Sequence, residues 1–508
     1  MAGMIKILLA FLVCIFLANM SIAEPKNAGK PNIIILYADD LGYGDLASYN
    51  LKSKIPTPNL DQLAEQGLRF TDAHSSSGIC SPSRYALLTG RYHWRKFHGI
   101  VQAFGPSKFS PERLTLPEML KEKGYTTAVI GKWHLGWNWD AIRKTSTGPD
   151  GIGPDDFDWY KAIPGGPLDH GFDYYFGASV INFPPYTWIE NDRVLKAPDT
   201  MVDGALWQLK EAKVSYRPGP MIAGWNPYDN LPTTTARGLE YIKEQAGGDK
   251  PFFLYFSYSS PHAPIIPNDE FDGSSKAGAY GDFVVETDDS IGQLLQALDS
   301  AGIADNTLVI FSSDNGPEHF AYARDIKTGH WSAAPLRGLK RDIYEGGHRV
   351  PMIIRWPGKI SAGKASNGLS SQIDIMATLA SVVGYDLPDS AAEDSHDLLP
   401  LWTGQTRVSP RHTLIHNTFE NSFAIRSADW TLIADENGYR LDKFYKAWEL
   451  RHGYARPVNN SIKGQLFDMK KDMAQKFNLI ERYPKKALYL DGLLQQIRDK
   501  GYSAPRLE

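Results

Sequence analysis

The chain has 508 residues, with 54 Lys and Arg against 58 Asp and Glu, a formal net charge of −4 and a pI of about 6.4. No global basic field draws it to nucleic acid or to an anionic membrane, so any attraction for an anionic substrate has to be local. Apolar residues at 42% and charged residues at 22% fit globular folding in more than one domain, and no internal repeat or low-complexity tract suggests a solenoid or a disordered tail.

Residues 1–23 carry Lys6, an apolar run from Ile7 to Leu17, and Ser21-Ile22-Ala23 ahead of Glu24. This is the pattern of a secretory signal peptide cleaved after Ala23, too short for a membrane anchor. The expectation is an exported protein, periplasmic or secreted (lysosomal or extracellular in a eukaryote), with no membrane association after cleavage. Cys14 leaves with the leader, so Cys80 is the one thiol of the exported chain and has no disulfide partner. A leftover thiol in that setting flags chemistry.

Asn32 to Ala38 (NIIILYA) reads as a strand buried on both faces. Thr57-Pro58 opens a helix, with Thr57 as N-cap, Leu60, Leu63 and Ala64 on its apolar face, and Gly67 as its stop. Pro82 to Thr89 reads as a short helix ended by Gly90, with Cys80 just before it. Thr126–Ile130, Phe252–Ser257 and Thr307–Phe311 are further strands. Gly281–Ala301 is an amphipathic helix with Val284, Val285, Ile291, Leu294, Leu295 and Leu298 inward. Alternating strands and helices predict an α/β fold, a large, mostly parallel sheet sandwiched by helices. After a loop-rich stretch from Gly384 to Arg411, short strands at 413–416, 422–426 and 431–434 and a closing helix at 487–497 predict an antiparallel sheet. The expected organisation is a larger domain over 24–390 and a smaller α+β domain over 391–508.

The residues just past each buried strand are informative. Asp39 and Asp40 come after the first; Gly131, Lys132, Trp133 and His134 after the second; Pro261 and His262 after the third; Ser312, Ser313, Asp314 and Asn315 after the fourth. In an open parallel sheet ligands bind beyond the carboxyl ends of the strands. Asp-Asp before Gly is usually a solvated turn, and a histidine beside Pro is usually a loop residue. Four such coincidences at one edge argue instead for a site. Asp39, Asp40, Asp314 and Asn315 offer only oxygen, which suits a hard cation; Ca²⁺ is favoured over Mg²⁺ because it tolerates irregular cages. A fifth ligand would come from whatever Cys80 becomes. Amide groups at the helix start, with Arg84 one turn in, favour negative charge near residue 80. The competing reading is a buried structural cysteine.

Cys80-Ser81-Pro82-Ser83-Arg84, continued by Leu87-Leu88-Thr89-Gly90-Arg91, resembles the Cys-x-Pro-x-Arg signature of type I, formylglycine-dependent sulfatases of the alkaline phosphatase superfamily. Gly131-Lys132-Trp133-His134-Leu135-Gly136 is similar to that family's second signature. Asp39-Asp40-Leu41-Gly42, Pro58-Asn59-Leu60-Asp61, His170-Gly171-Phe172-Asp173, Pro261-His262, Ser313-Asp314-Asn315-Gly316 and Glu345-Gly346-Gly347 occur in the family's order, and Leu466-Phe467-Asp468 and Asn478-Leu479 resemble its C-terminal region.

The resemblance implies that a separate formylglycine-generating maturation enzyme oxidises Cys80 to formylglycine (3-oxoalanine), whose hydrate attacks sulfur beside one bound Ca²⁺. It implies metal ligation by Asp39, Asp40, Asp314, Asn315 and residue 80, with Asp314 a plausible proton acceptor. Arg84, Lys132 and Lys340 would hold sulfate oxygens, and His262 would protonate the leaving oxygen. His134 would take the proton that expels sulfate from residue 80. Lys340 competes with Arg337 and Arg341 for its place, and Ser179 and Asn182 both remain candidates for a further pocket residue. The implied substrate is a sulfated polysaccharide or oligosaccharide; the stretch from His170 to Tyr186 resembles enzymes acting on sulfated galactose-type sugars and marine algal polysaccharides. Trp133, Trp137, Trp139, Trp159, Trp188 and Trp331 are candidates to stack on sugar rings. Asn459-Asn460-Ser461 is a glycosylation sequon. The alternatives are a phosphate or phosphonate ester hydrolase of the same superfold and a catalytically inactive glycan-binding homologue.

Overall fold

The structure, a computed structural model, describes residues 29–144, 152–202, 209–211, 216–418, 422–434, 445–454 and 463–505. The signal peptide and the Asn459 sequon lie outside the described residues. A ten-stranded sheet forms the centre. Asn32–Ala38 lies in its middle, parallel to Thr307–Ser313 on one side and to Phe252–Ser257 on the other. Thr126–Gly131 and Tyr174–Gly177 extend it in the same direction. Beyond Thr307–Ser313 the direction reverses at Met352–Arg355, making the sheet mixed.

The NIIILYA run forms a strand because both of its faces are covered. Ile33, Ile35 and Tyr37 enter one core with Tyr85, Leu88, Met119 and Leu379, contributed by the helices Cys80–Thr89, Leu116–Glu122 and Ile375–Val383. Ile34, Leu36 and Ala38 enter the other with Leu63, Ile242, Ile291 and Leu298, from Pro58–Gln66, Asn230–Ala246 and Ala279–Ser300. Each large aliphatic side chain so buried contributes about 1.5–3 kcal/mol of transfer free energy. Among the described residues no helix is long and apolar enough to cross a membrane.

Thr413–Asn417, Phe423–Ser427, Trp430–Ile433 and Gln465–Asp468 form a second, wholly antiparallel sheet. Pro484–Lys500 closes one face of it with Ala487, Leu490, Leu494 and Ile497. The same core takes in Ala86 and Tyr92, so this sheet packs beside the Cys80 helix. Leu398, Leu401 and Trp402 still pack into the core of the large sheet.

Several local expectations are corrected. Cys80 is the first residue of its helix rather than its predecessor; the extended Ile79 stands at the N-cap. Thr57 stands at the N-cap as expected, but its side chain makes no capping bond: its hydroxyl donates to Asp61, and the buried Asp288 carboxylate from another helix takes the Asn59 and Leu60 amides at 3.0 and 2.8 Å. Val285 and Leu295 are only half-buried at the margin of their helix face. The tryptophans pack: Trp133, Trp137, Trp139, Trp159 and Trp331 are buried in apolar clusters, and Trp188 lies half-buried against Phe176, so none offers a free face to a sugar.

Candidate active site

The register of the central strands sets the site. Ala38 pairs with Ser313, Tyr37 with Ser257 and Ser257 with Gly131, so the chain leaves four neighbouring strands at one level. Asp39-Asp40, Lys132, His262 and Asp314-Asn315 emerge there, and the Cys80 helix starts above them. Two glycines let the backbones approach. Gly131 has φ +104, and a Cβ there would lie 2.0 Å from the Ser257 carbonyl. A Cβ on Gly316 would lie 1.8 Å from the carbonyl of Gly346. Asp40 and His134 also have positive φ, at 65° and 54°, an unusual backbone for side chains of their kind.

The ten residues named from the sequence converge. The Cys80 Sγ lies 3.7 Å from Asp39 Oδ1. Asp39 also pairs closely with Lys132 Nζ and lies 3.7 Å from Arg84 Nη2. Arg84 donates to Asp314 Oδ2 through Nε and Nη2, at 3.0 and 2.8 Å, and to the Ser257 hydroxyl. Lys340 Nζ reaches both Asp40 oxygens at 2.6 and 2.8 Å, and Asn315 Nδ2 donates to Asp40 Oδ1 at 2.6 Å. His262 Nε2 is 3.7 Å from Asp40 Oδ2. His134 Nε2 donates to the Val101 carbonyl at 3.0 Å, leaving Nδ1 buried and without a partner. Arg337, the competitor of Lys340, pairs instead with Glu449 at 2.9 Å in a buried cluster with Tyr445.

The charges are crowded and dry. Against the penalty of burial, Lys132, His262 and Arg84 hold the Asp39 carboxyl well below the usual carboxylate range. Asp40 is pushed up to about 7, because burial and the neighbouring Asp39, Glu318 and Asp314 outweigh Lys340. Burial, then Asp39, raises Asp314 as well, against Arg84. Burial keeps His262 and His134 neutral, and nearby lysines reinforce it. The Cys80 thiol is pushed up to about 12 by burial despite Lys132 and Lys340. The favourable field expected at the helix start is therefore outweighed, and the unmodified thiol stays protonated at neutral pH.

A cavity of about 260 Å³ opens above this floor. Cys80, His134, His262 and Lys340 line it, while Asp39, Asp40, Asp314 and Asn315 lie beneath with no exposed surface. Asn182 lines it too, with Oδ1 buried and unpartnered; Ser179 does not, which separates those two candidates. Glu318, paired with Arg341 and 3.6 Å from Lys340, escaped the sequence reading, as did Arg217, stacked 3.7 Å over the Phe183 ring. Only a basic residue near an aromatic one marks Arg217 in the sequence, and that pattern is common on ordinary surfaces.

The floor fits a hard divalent ion. Ligand atoms of Asp39, Asp40, Cys80 and His262 all lie within 4.8 Å of one another. The three aspartates are matched in number by Arg84, Lys132 and Lys340, Asp314 falls outside that group with its Oδ2 taken by Arg84, and the Asn315 Oδ1 is a buried acceptor that no protein donor satisfies. An oxygen-rich set with an orphaned amide oxygen is what calcium or magnesium completes.

The Sulfatase family profile matches residues 31–385, and a profile of the N-sulphoglucosamine sulphohydrolase C-terminal region matches residues 339–486. The chain is 32% identical over 510 residues to an N-acetylgalactosamine-6-O-sulfatase of Bacteroides thetaiotaomicron, covering 94% of each chain. It is 34% identical over 380 residues to the human N-acetylgalactosamine-6-sulfatase, covering 73% of this chain and 65% of that one. A solved structure from work on metabolism of multiple glycosaminoglycans by Bacteroides thetaiotaomicron superposes with a TM-score of 0.77 at 30% identity, covering 92% of this chain and 99% of that one.

Proposed function

The chain belongs to the sulfatase family, and from that premise we propose that it removes 6-O-sulfate from N-acetylgalactosamine-type sugars of a sulfated glycan, with Cys80 converted to formylglycine and one Ca²⁺ bound. It is a sulfuric ester hydrolase, and the family generally depends on formylglycine and a metal ion. The observation that carries the reading is Cys80 at the base of the cavity, over an oxygen-rich floor and between His134 and His262. The relatives' sugar supports the choice of leaving group.

Hydrated formylglycine at position 80 would supply an oxygen nucleophile, and Asp39, Asp40, Asp314 and Asn315 would hold a calcium ion that would supply positive charge beside it. Arg84 and Lys132, both fully buried, fix the carboxylates of that floor and add charge where sulfate oxygens gather. Lys340 closes the same side. His262 gives its Nδ1 hydrogen to the Ala263 carbonyl and turns Nε2 to the cavity, so it would serve the departing sugar oxygen as an acid only after taking up a second proton at Nε2. His134, oriented by the Val101 carbonyl, presents its bare Nδ1 as the base for the proton on residue 80. Arg217 and Asn182 face the leaving sugar from the cavity wall. All these groups lie within 24–390, the proposed larger domain, and the four-stranded sheet that starts at Thr413 packs beside the Cys80 helix and would brace them. Export, with the maturation enzyme acting on Cys80, completes the reading.

The test is a panel of defined sulfated sugars with the matching phosphate esters, alongside mass spectrometry of the peptide containing residue 80. The expected result is fastest release from 6-sulfated N-acetylgalactosamine and a formylglycine mass. Faster phosphate release, or turnover by a chain carrying only the thiol, overturns it.

A further inference from the structure

A second polar cluster lies outside the site. His74, His348 and His416 are each essentially fully buried, and one ligand nitrogen from each lies within 4.8 Å of the others. They come from three places: the Ala73–His74 strand, the Glu345–His348 turn and the Thr413–Asn417 strand of the second sheet.

Their hydrogen bonds determine which nitrogens are bare. His348 Nε2 lies 3.0 Å from the Ile343 carbonyl, which can only accept, so this nitrogen carries the hydrogen and Nδ1 is a lone pair. His74 Nε2 lies 2.8 Å from Asp72, which Arg349 and Arg426 hold ionised at 3.2 and 3.0 Å; it too carries a hydrogen. The two Nδ1 atoms then face each other at 3.1 Å. Two lone pairs do not rest at that distance unless something positive lies between them, either a proton or a metal ion. Nitrogens bound to a tetrahedral zinc ion at about 2.0–2.1 Å sit roughly 3.3 Å apart, close to the separation here. A shared proton would occupy only two of the rings. The third, His416, is buried with no well-formed hydrogen bond at either nitrogen, only an approach to the Ser75 backbone, an arrangement that is costly unless a ligand completes it.

The outer bonds are those that orient histidine ligands, one ring held by a carboxylate and another by a carbonyl. Arg349 and Arg426 are matched in number by Asp72 and Glu345, so the imidazoles do not face an uncompensated positive wall. Burial keeps His348 and His416 in the neutral form that binds metal. His416 stacks on His348 with centroids 3.5 Å apart and planes 15° from parallel, so to ligate the same ion its ring would have to turn out of that stack.

We propose that His74, His348 and His416 bind one divalent cation of the zinc class, different in kind from the hard ion of the active site, and that it fastens the C-terminal sheet to the larger layer. Three imidazoles select zinc, copper or nickel over calcium.

The test uses the full-length chain purified without chelator, in three forms: wild type, Asp40→Asn to weaken the hard-ion site, and His416→Gln. Elemental analysis is expected to find a zinc-class ion in the first two and to lose it in the third. Adding zinc to stripped wild type is expected to raise its melting temperature, with no shift in His416→Gln. Should that variant fail to fold, cobalt loaded into wild type reports directly, since tetrahedral nitrogen ligation gives intense visible bands. Folded wild type with no zinc-class ion after zinc addition, or with cobalt bands characteristic only of octahedral oxygen ligation, overturns the proposal and leaves a shared proton in the cluster.

Discussion

Two knots of buried charge lie at opposite ends of the Cys80–Thr89 helix, and they are built on opposite terms. Beyond its C-terminal end, Arg411 donates to both Asp374 oxygens at 2.7 and 2.5 Å and to the carbonyls of Asp394 and Thr413. The Asp394 carboxylate takes two bonds from Arg95, with the Tyr92 amide and the Ser503 hydroxyl besides. Each guanidinium there has its own carboxylate, and the remaining lone pairs are used. At the N-terminal end three aspartates crowd together, Asp40 is pushed up to about 7 by burial, and Asn315 Oδ1 and His134 Nδ1 have no protein partner. A complete network holds chain segments in place. One that leaves a buried acceptor and a bare imidazole nitrogen unused is a place where an ion and a substrate fit.

The largest blow to this contrast comes from Cys80→Ser. Sustained turnover should fall by about 10⁴-fold or more in steady-state assays, because the nucleophile is removed, while the melting temperature hardly moves. Undiminished steady turnover would remove the deficient end from the chemistry. Next, Arg411→Ala leaves Asp374 buried without its partner and should lower stability by about 3–5 kcal/mol in urea titrations, with activity per folded molecule unchanged. A milder loss would show that the complete network is less decisive than its geometry implies.

The same change of logic is expected at Asp40. In metal-free protein its folded pKa, about 7, lies above its ordinary value near 3.8. The folded state then holds the proton more tightly than the unfolded one, and stability drops as pH rises from about 4 to 7. Asp40→Asn should remove that drop and gain about 1–3 kcal/mol at pH 8 without metal, while abolishing activity with metal. A variant equally pH-sensitive would contradict the crowding. Smallest, Arg217→Ala should leave stability within about 0.5 kcal/mol, as surface changes do, and lower kcat/KM on the glycan about tenfold. An effect on a small aryl sulfate as large as on the glycan would place Arg217 with the sulfate rather than the sugar.

Much of the site was legible because each strand is a continuous apolar run and the first polar residue after it marks the edge of the sheet. Asp39, Lys132 and Asp314 could be placed that way without coordinates. The proposed metal set rests on donor chemistry. Asn182, Arg217 and Glu318 were not separable from their neighbours, since they reach the cavity from irregular loops whose paths no periodicity encodes. The tryptophans misled for a related reason: loops over a sheet this large carry cores of their own, and Trp133 and Trp137 fill one. Asp288 capping the 58–66 helix was also hidden, because the cap comes from 228 residues away in sequence. The histidine cluster joins three segments no local pattern connects.

The helix that begins at Cys80 has almost no surface: residues 80–89 are buried throughout. If Cys80 is oxidised as proposed, that burial would impose a schedule on biosynthesis. An enzyme gripping Cys80, Pro82 and Arg84 together could do so only while the segment is still loose, because once the helix docks the thiol is reached only through the cavity and Pro82 and Arg84 not at all. Chains that fold first would keep an inert thiol, and the yield of working molecules would depend on a race between modification and folding.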